Sequence, residues 1–145
     1  MNATIVFPNQ LFKSSPALSR KRKIFILQDP LFFSDNEYPA FFHKNKILLH
    51  LLSIDYYMQE LSDSGYDVQI IEVKQLQNQD SYISFFKKNN ITEIYFCDPV
   101  DYVITKRLDN ATKKLKLKMY KYDTPLFMLN SEDVKNEFSN KKFHF

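Results

Sequence analysis

The stretch KNKILLHLLSIDYYMQELSDSGYDVQIIEV, residues 44–73, decides the fold. Residues 44–63 contain neither Gly nor Pro. Within them Ile47, Leu51, Ile54, Met58 and Leu61 recur at the three- and four-residue spacing of a helix that buries one face. Gly65, the only glycine in the chain, stands where a closing helix needs a left-handed residue, a conformation that glycine adopts at low cost. Residues 68–73, rich in Val and Ile, then read as a buried strand. A helix closed by glycine and followed at once by a strand is half of an α/β crossover.

The flanks repeat this grammar. Upstream, residues 4–7, ended by Pro8, and residues 23–27, ended by Gln28-Asp29-Pro30, are short apolar runs that predict strands, joined by a poorly helical connection over 12–22. Downstream, Asp80 is expected to cap a short helix reaching about residue 88, and residues 93–97 form a strand running into Asp98-Pro99. A helix follows over 102–115, then a strand over 118–122, then a last helix over 131–139 with Ser131 as its cap. The order β-β-α-β-α-β-α-β-α predicts an α/β fold, a doubly wound, mostly parallel five-stranded sheet with helices on both faces, as one domain over residues 1–145.

Composition narrows the function. At 145 residues, 44% hydrophobic and 26% charged, the chain has the size and balance of one globular domain, with an aromatic content of 16% to fill its core. No run is long enough for a membrane span, and the N-terminus lacks the layout of a signal peptide, so a cytoplasmic or nuclear location is expected. One cysteine, Cys97, cannot make an internal disulfide or a cysteine-only cluster site. One glycine cannot build a Gly-rich phosphate loop. H-E-x-x-H, C-x-x-C and G-x-S-x-G are also missing. The expectation is a domain that binds a ligand but carries no catalytic machinery of its own.

Candidate ligand residues gather where the strands end: Asn9 and Gln10 after the first, Phe32 and Phe33 after the second, Asp98 and Asp101 after the fourth. In open parallel sheets ligands bind at this edge, where strand order reverses. Flat rings stack on a planar ligand while Asn, Gln and Asp bond its edge. The commoner roles, Asp capping turns before proline and Phe filling the core, are the alternative for each residue. On the long helix His43, Lys46, His50, Ser53 and Tyr57 share a polar stripe beside the core face, either lining that cleft or forming a wet helix edge.

Leu49, Leu52 and Tyr56 lie opposite the core face of the same helix. Coverage by a neighbouring helix is the favoured expectation, and a docking surface the alternative. Lys106, Arg107, Lys113, Lys114, Lys116, Lys118 and Lys121 form a basic run. A solvated face explains such a run more often than a nucleic-acid contact does, so direct DNA binding is expected to be weak or absent.

Taken together, Phe7-Pro8-Asn9-Gln10-Leu11-Phe12, Asp29-Pro30-Leu31-Phe32-Phe33, Phe42-His43-Lys44-Asn45-Lys46, Gly65-Tyr66-Asp67-Val68 and Asp98-Pro99-Val100-Asp101 resemble the opening of the deoxyribodipyrimidine photolyase-related family. These are the prokaryotic (6-4) photolyases and cryptochromes that carry an iron–sulfur cluster. The resemblance continues through Pro125-Leu126-Phe127 and spans nearly the whole chain. It implies a Rossmann-like antenna domain able to hold a chromophore such as 6,7-dimethyl-8-ribityllumazine, with Asn9, Gln10, Phe32, Phe33, His43, Lys46 and His50 around it.

The same resemblance implies that FAD, the cluster and the lesion-binding surface belong to a longer helical domain and not to this chain. Its function would then be light harvesting for DNA photorepair, with a photolyase-type catalytic domain as partner. Two other classes stay open. One is a stand-alone interaction module that keeps the fold without the pocket and self-associates through Leu49, Leu52 and Tyr56. The other is a small hydrolase or nucleotide-binding enzyme using His43, Asp98 and Asp101.

Overall fold

The computed structural model describes residues 1–139. The elements are β1 (Asn2–Val6), β2 (Lys23–Leu27), α1 (Lys44–Asp63), β3 (Val68–Ile71), α2 (Gln79–Lys88), β4 (Glu93–Cys97), α3 (Tyr102–Leu115), β5 (Lys118–Tyr122) and α4 (Ser131–Phe138). The five strands form one sheet in the order β3-β2-β1-β4-β5, parallel throughout. The expected α/β fold is thus present, with no antiparallel member.

Strand order reverses between β1 and β4, and this sorts the helices. Right-handed crossovers that travel first one way and then the other deliver α1 to one face of the sheet and α2 and α3 to the opposite face. Two apolar clusters confirm the sorting. Ile24, Ile26, Ile54, Tyr57 and Leu61 pack under α1, whereas Ile5, Phe25, Phe86, Ile94, Phe96, Ile104 and Leu108 pack under α2 and α3.

The ends of α1 show why the sequence stops and starts where it does. Gly65 has φ +81°, and the amides of Gly65 and Tyr66 donate back to the carbonyls of Ser62 and Leu61, closing the last turn. At the other end the His43 Nδ1 accepts from the Asn45 amide at 3.2 Å, so an imidazole caps this helix. Two expected caps move by one or two residues. Asn78, not Asp80, caps α2, and Asn130, not Ser131, caps α4, each through an amide oxygen placed outside the first turn, where a cap must sit. No helix of the described residues is long and apolar enough to cross a membrane.

Candidate functional site at the carboxyl edge of the sheet

The switch point lies between the loops after β1 and β4, and two amides fasten those loops together. The buried Gln10 donates through Nε2 to the carbonyls of Cys97 at 3.2 Å and Asp98 at 2.7 Å. Asn9 donates through Nδ2 to the Pro99 carbonyl at 3.1 Å, leaving its Oδ1 buried without a partner. Gln10 is therefore occupied in shaping the crevice, while Asn9 keeps one free acceptor there.

The clamped loop is strained. Val100 has φ +55°, in the left-handed region that a β-branched residue rarely enters. Its amide donates to the Asp98 Oδ1 at 3.0 Å, and Lys121 Nζ meets the other Asp98 oxygen at 2.8 Å. Partial burial alone would raise the Asp98 pKa. The lysine and the Val100 amide outweigh it and hold the carboxyl below its ordinary value. Asp101 caps α3, accepting from the amides of Val103 and Ile104.

Beside this loop a groove of about 710 Å³ opens over the ends of β4 and β5. Val100, Phe127, Leu129 and Val134 give it apolar walls, and Asp98 and Ser131 stand among its polar lining. Sequence reasoning found Asp98 but missed the rest, because Phe127, Leu129 and Val134 converge only when α4 folds back toward the β4 loop.

On the α1 side the structure does bring Phe32, Phe33 and His50 together. The His50 ring meets Phe32 edge to face at 5.7 Å and Phe33 at 5.9 Å. Phe33 is buried in the core beneath α1 and Phe32 is half-buried. Burial, with Lys46 nearby, lowers the His50 pKa and favours the neutral ring. Lys46 itself is exposed, its ammonium 4.4 Å from the centroid of the Phe42 ring. Tyr57, at the end of the polar stripe, is buried and donates to the Phe12 carbonyl at 2.8 Å. Burial pushes its hydroxyl up to about 12. His43, Asp98 and Asp101 are each engaged in a local cap or turn, and among the described residues no hydrogen bond or ion pair joins them.

One constellation escaped the sequence. Arg107 of α3, 2% exposed, donates through Nη1 to Asp29 at 2.9 Å and through Nη2 to Asp35 at 2.5 Å, and the buried Tyr82 hydroxyl bonds the other Asp29 oxygen. Burial raises the Asp29 pKa despite these partners. Asp35 goes the other way. Its burial is outweighed by Arg107 and by the amides of Tyr38 and Glu37, which hold it below its ordinary value. The network ties the β2–α1 connection, which carries Phe32 and Phe33, to α2 and α3.

Arg107 thus leaves the basic run to which it was assigned. Its spacing with Ile104, Leu108 and Ala111 places it on the core face of α3, and that periodicity was the available signal. Of the remaining run, Lys114, Lys118 and Lys121 face Asp80, Glu93 and Asp98.

The outer face of α1 differs from the favoured expectation as well. Leu48, Leu49, Leu52 and Tyr56 are 53%, 64%, 58% and 68% exposed. Among the described residues nothing covers them, and the helix residues that pack in the cluster on this side of the sheet all belong to α1.

A three-layer parallel domain with strand order 3-2-1-4-5 and its switch point between β1 and β4 is a Rossmann-like α/β domain. Its sequence places it more narrowly. The chain belongs to the deoxyribodipyrimidine photolyase-related protein family, whose sequence profile matches residues 4–145. It is similar to uncharacterized protein R852 of Acanthamoeba polyphaga mimivirus, with 31% identity over 152 aligned positions that take in 98% of this chain and 76% of that relative.

Proposed function

We propose that this domain is an antenna-type module of a photolyase-related system. It holds a planar heteroaromatic chromophore of the lumazine class and passes absorbed light energy to a flavin-bearing catalytic domain, with no repair chemistry of its own. The observation that carries this reading is the groove of about 710 Å³ over the carboxyl ends of β4 and β5, within the size range of small-ligand sites and beside the β1–β4 switch point, on the edge where doubly wound sheets bind them. Family membership supplies the chemical context.

The residues present fit such a group. Val100, Phe127 and Leu129 offer apolar contact for ring faces, while Asp98, Ser131 and Asn130 offer acceptors and donors for ring N–H groups and chain hydroxyls. Asn9 Oδ1, buried without a partner, is a further acceptor at the switch point. When bound, the chromophore supplies light absorption. The protein's part is to orient it and to keep water from its faces.

Titration of the purified protein with 6,7-dimethyl-8-ribityllumazine tests this. Saturable quenching and a polarisation rise are expected, both weakened by Phe127→Ala. Folded protein that leaves the fluorescence unchanged rejects the reading. Binding that survives Phe127→Ala but is lost in Phe32→Ala and His50→Ala moves the chromophore to the α1 side. A second reading, an interaction module, is favoured by one specific observation, the exposed apolar face of α1.

A further inference from the structure

We propose that the outer face of α1 is a two-fold interface on which a second copy of this chain lays its own α1 antiparallel. The proposal is independent of chromophore binding. On a helix of 3.6 residues per turn, Asn45, Leu48, Leu49, Leu52, Asp55, Tyr56, Gln59 and Asp63 all fall within roughly 60° of the direction of Leu52. Ile54, Tyr57 and Leu61 lie on the opposite, buried side. The apolar members occupy the middle of this stripe, all more than half exposed. A seam of this kind, apolar in the middle and polar at its ends, suits a partner helix.

Charge selects the occupant. The N-terminal end of α1 carries Lys44 and Lys46, and its C-terminal half carries Asp55, Glu60 and Asp63. There is no acid in the first turn and no base in the last. This arrangement opposes the helix macrodipole, which favours acids at the N-terminus and bases at the C-terminus. Among the described residues none of these five charges forms an ion pair.

An antiparallel copy reverses both faults. Its acidic end lies over the basic end of the first helix, and the two dipoles oppose each other. With the two-fold axis at Leu52, that residue meets its own mate, Leu48 comes level with Tyr56 across the seam, and Lys44 comes level with Glu60 on the opposite flank at each end. The contact is isologous, so one patch satisfies both subunits. The outer half of the seam spans about 24 Å from Lys44 to Glu60 at 1.5 Å per residue, which suits a reversible dimer at the small end of the interface scale.

Sedimentation equilibrium of the full chain over a wide concentration range tests this. A monomer–dimer equilibrium is expected, abolished by Leu52→Glu, with Leu52→Ala as the milder variant and circular dichroism showing both folded. Lys44→Glu and Glu60→Lys each place like charges at both ends and should weaken association about tenfold, a difference of ~1.4 kcal/mol. Mixing the Lys44→Glu chain with the Glu60→Lys chain should restore it, because the antiparallel heterodimer has two matched ends. A monomer at every concentration overturns the proposal. So does a dimer indifferent to Leu52→Glu, or a mixture that shows no recovery. A seam found buried against another domain of a longer natural protein overturns it as well.

Discussion

Beneath the β2–α1 connection the protein buries charge, and along the outside of α1 it exposes leucine. The two regions exchange the usual roles of polar and apolar side chains. The interior site tolerates Arg107 because Asp29, Asp35 and Tyr82 are held in bonding geometry around it. The α1 seam has no such compensation within the described residues. Burial is thus decided less by residue type than by whether partners can be brought into place.

The largest effect expected from breaking this contrast is in the interior. Arg107→Met leaves Asp29 and Asp35 without their countercharge and should cost about 3–5 kcal/mol, read from urea denaturation at neutral pH. Adding Asp29→Asn and Asp35→Asn to that variant should recover much of the loss, since an uncharged cluster no longer strands a buried ion. If the triple variant is as unstable as the single one, packing of the Arg107 stem and not charge holds the site.

Tyr82→Phe should cost about 1–3 kcal/mol by leaving one Asp29 oxygen unbonded in the interior. Acid titration separates the two carboxylates. Asp35 has a lowered folded pKa, so its contribution is present above the ordinary value of 3.8 and fades as pH falls below it. Asp29 has a raised one, so its contribution is largest below 3.8 and fades as pH rises through its folded value. Asp35→Asn should therefore remove part of the acid-induced loss of stability, whereas Asp29→Asn should cost less at neutral pH than Asp35→Asn. The reverse order in denaturation midpoints would mean that the Arg107 pairing outweighs burial at Asp29.

On α1 the expected effects are smaller. Gly65→Ala should cost about 1 kcal/mol, a purely conformational penalty, because a methyl group at that site meets nothing within 4 Å. A larger loss of thermal stability would show that the helix end is packed more tightly than its open surroundings indicate. Leu52→Glu should change the unfolding free energy of the monomer by no more than about 0.5 kcal/mol, as for an exposed position without local partners. A marked destabilisation under dilute conditions would sharpen the contrast against us, since Leu52 would then belong to the folded monomer's own core.

The carboxyl edge shows how site residues divide. Asn9, Gln10, Asp98 and Asp101 were all expected there, and all four are there, but three different duties separate them. Gln10 fastens the crevice, Asp101 caps α3, and Asp98 lines a groove whose apolar wall is completed by Phe127, Leu129 and Val134, residues that the sequence did not mark as site residues. A polar residue after a strand is legible in one dimension. Whether its hydrogen bonds go to backbone or remain for a ligand is not.

The sequence by itself determined the strands, the four helices, the glycine stop at Gly65 and the α/β class, because periodicity, caps and breakers act within a few residues. It also carried the family, because short motifs in a fixed order survive without reference to contacts. Periodicity could put Arg107 on the core face of α3, but tertiary structure alone decided which carboxylates meet it there, since its partners Asp29 and Asp35 lie 78 and 72 residues away. It alone decided that the second apolar face of α1 has no cover among the described residues, since that depends on which side of the sheet each crossover takes. Local chemistry sets the elements, whereas burial and pairing between distant segments set what each side chain can do.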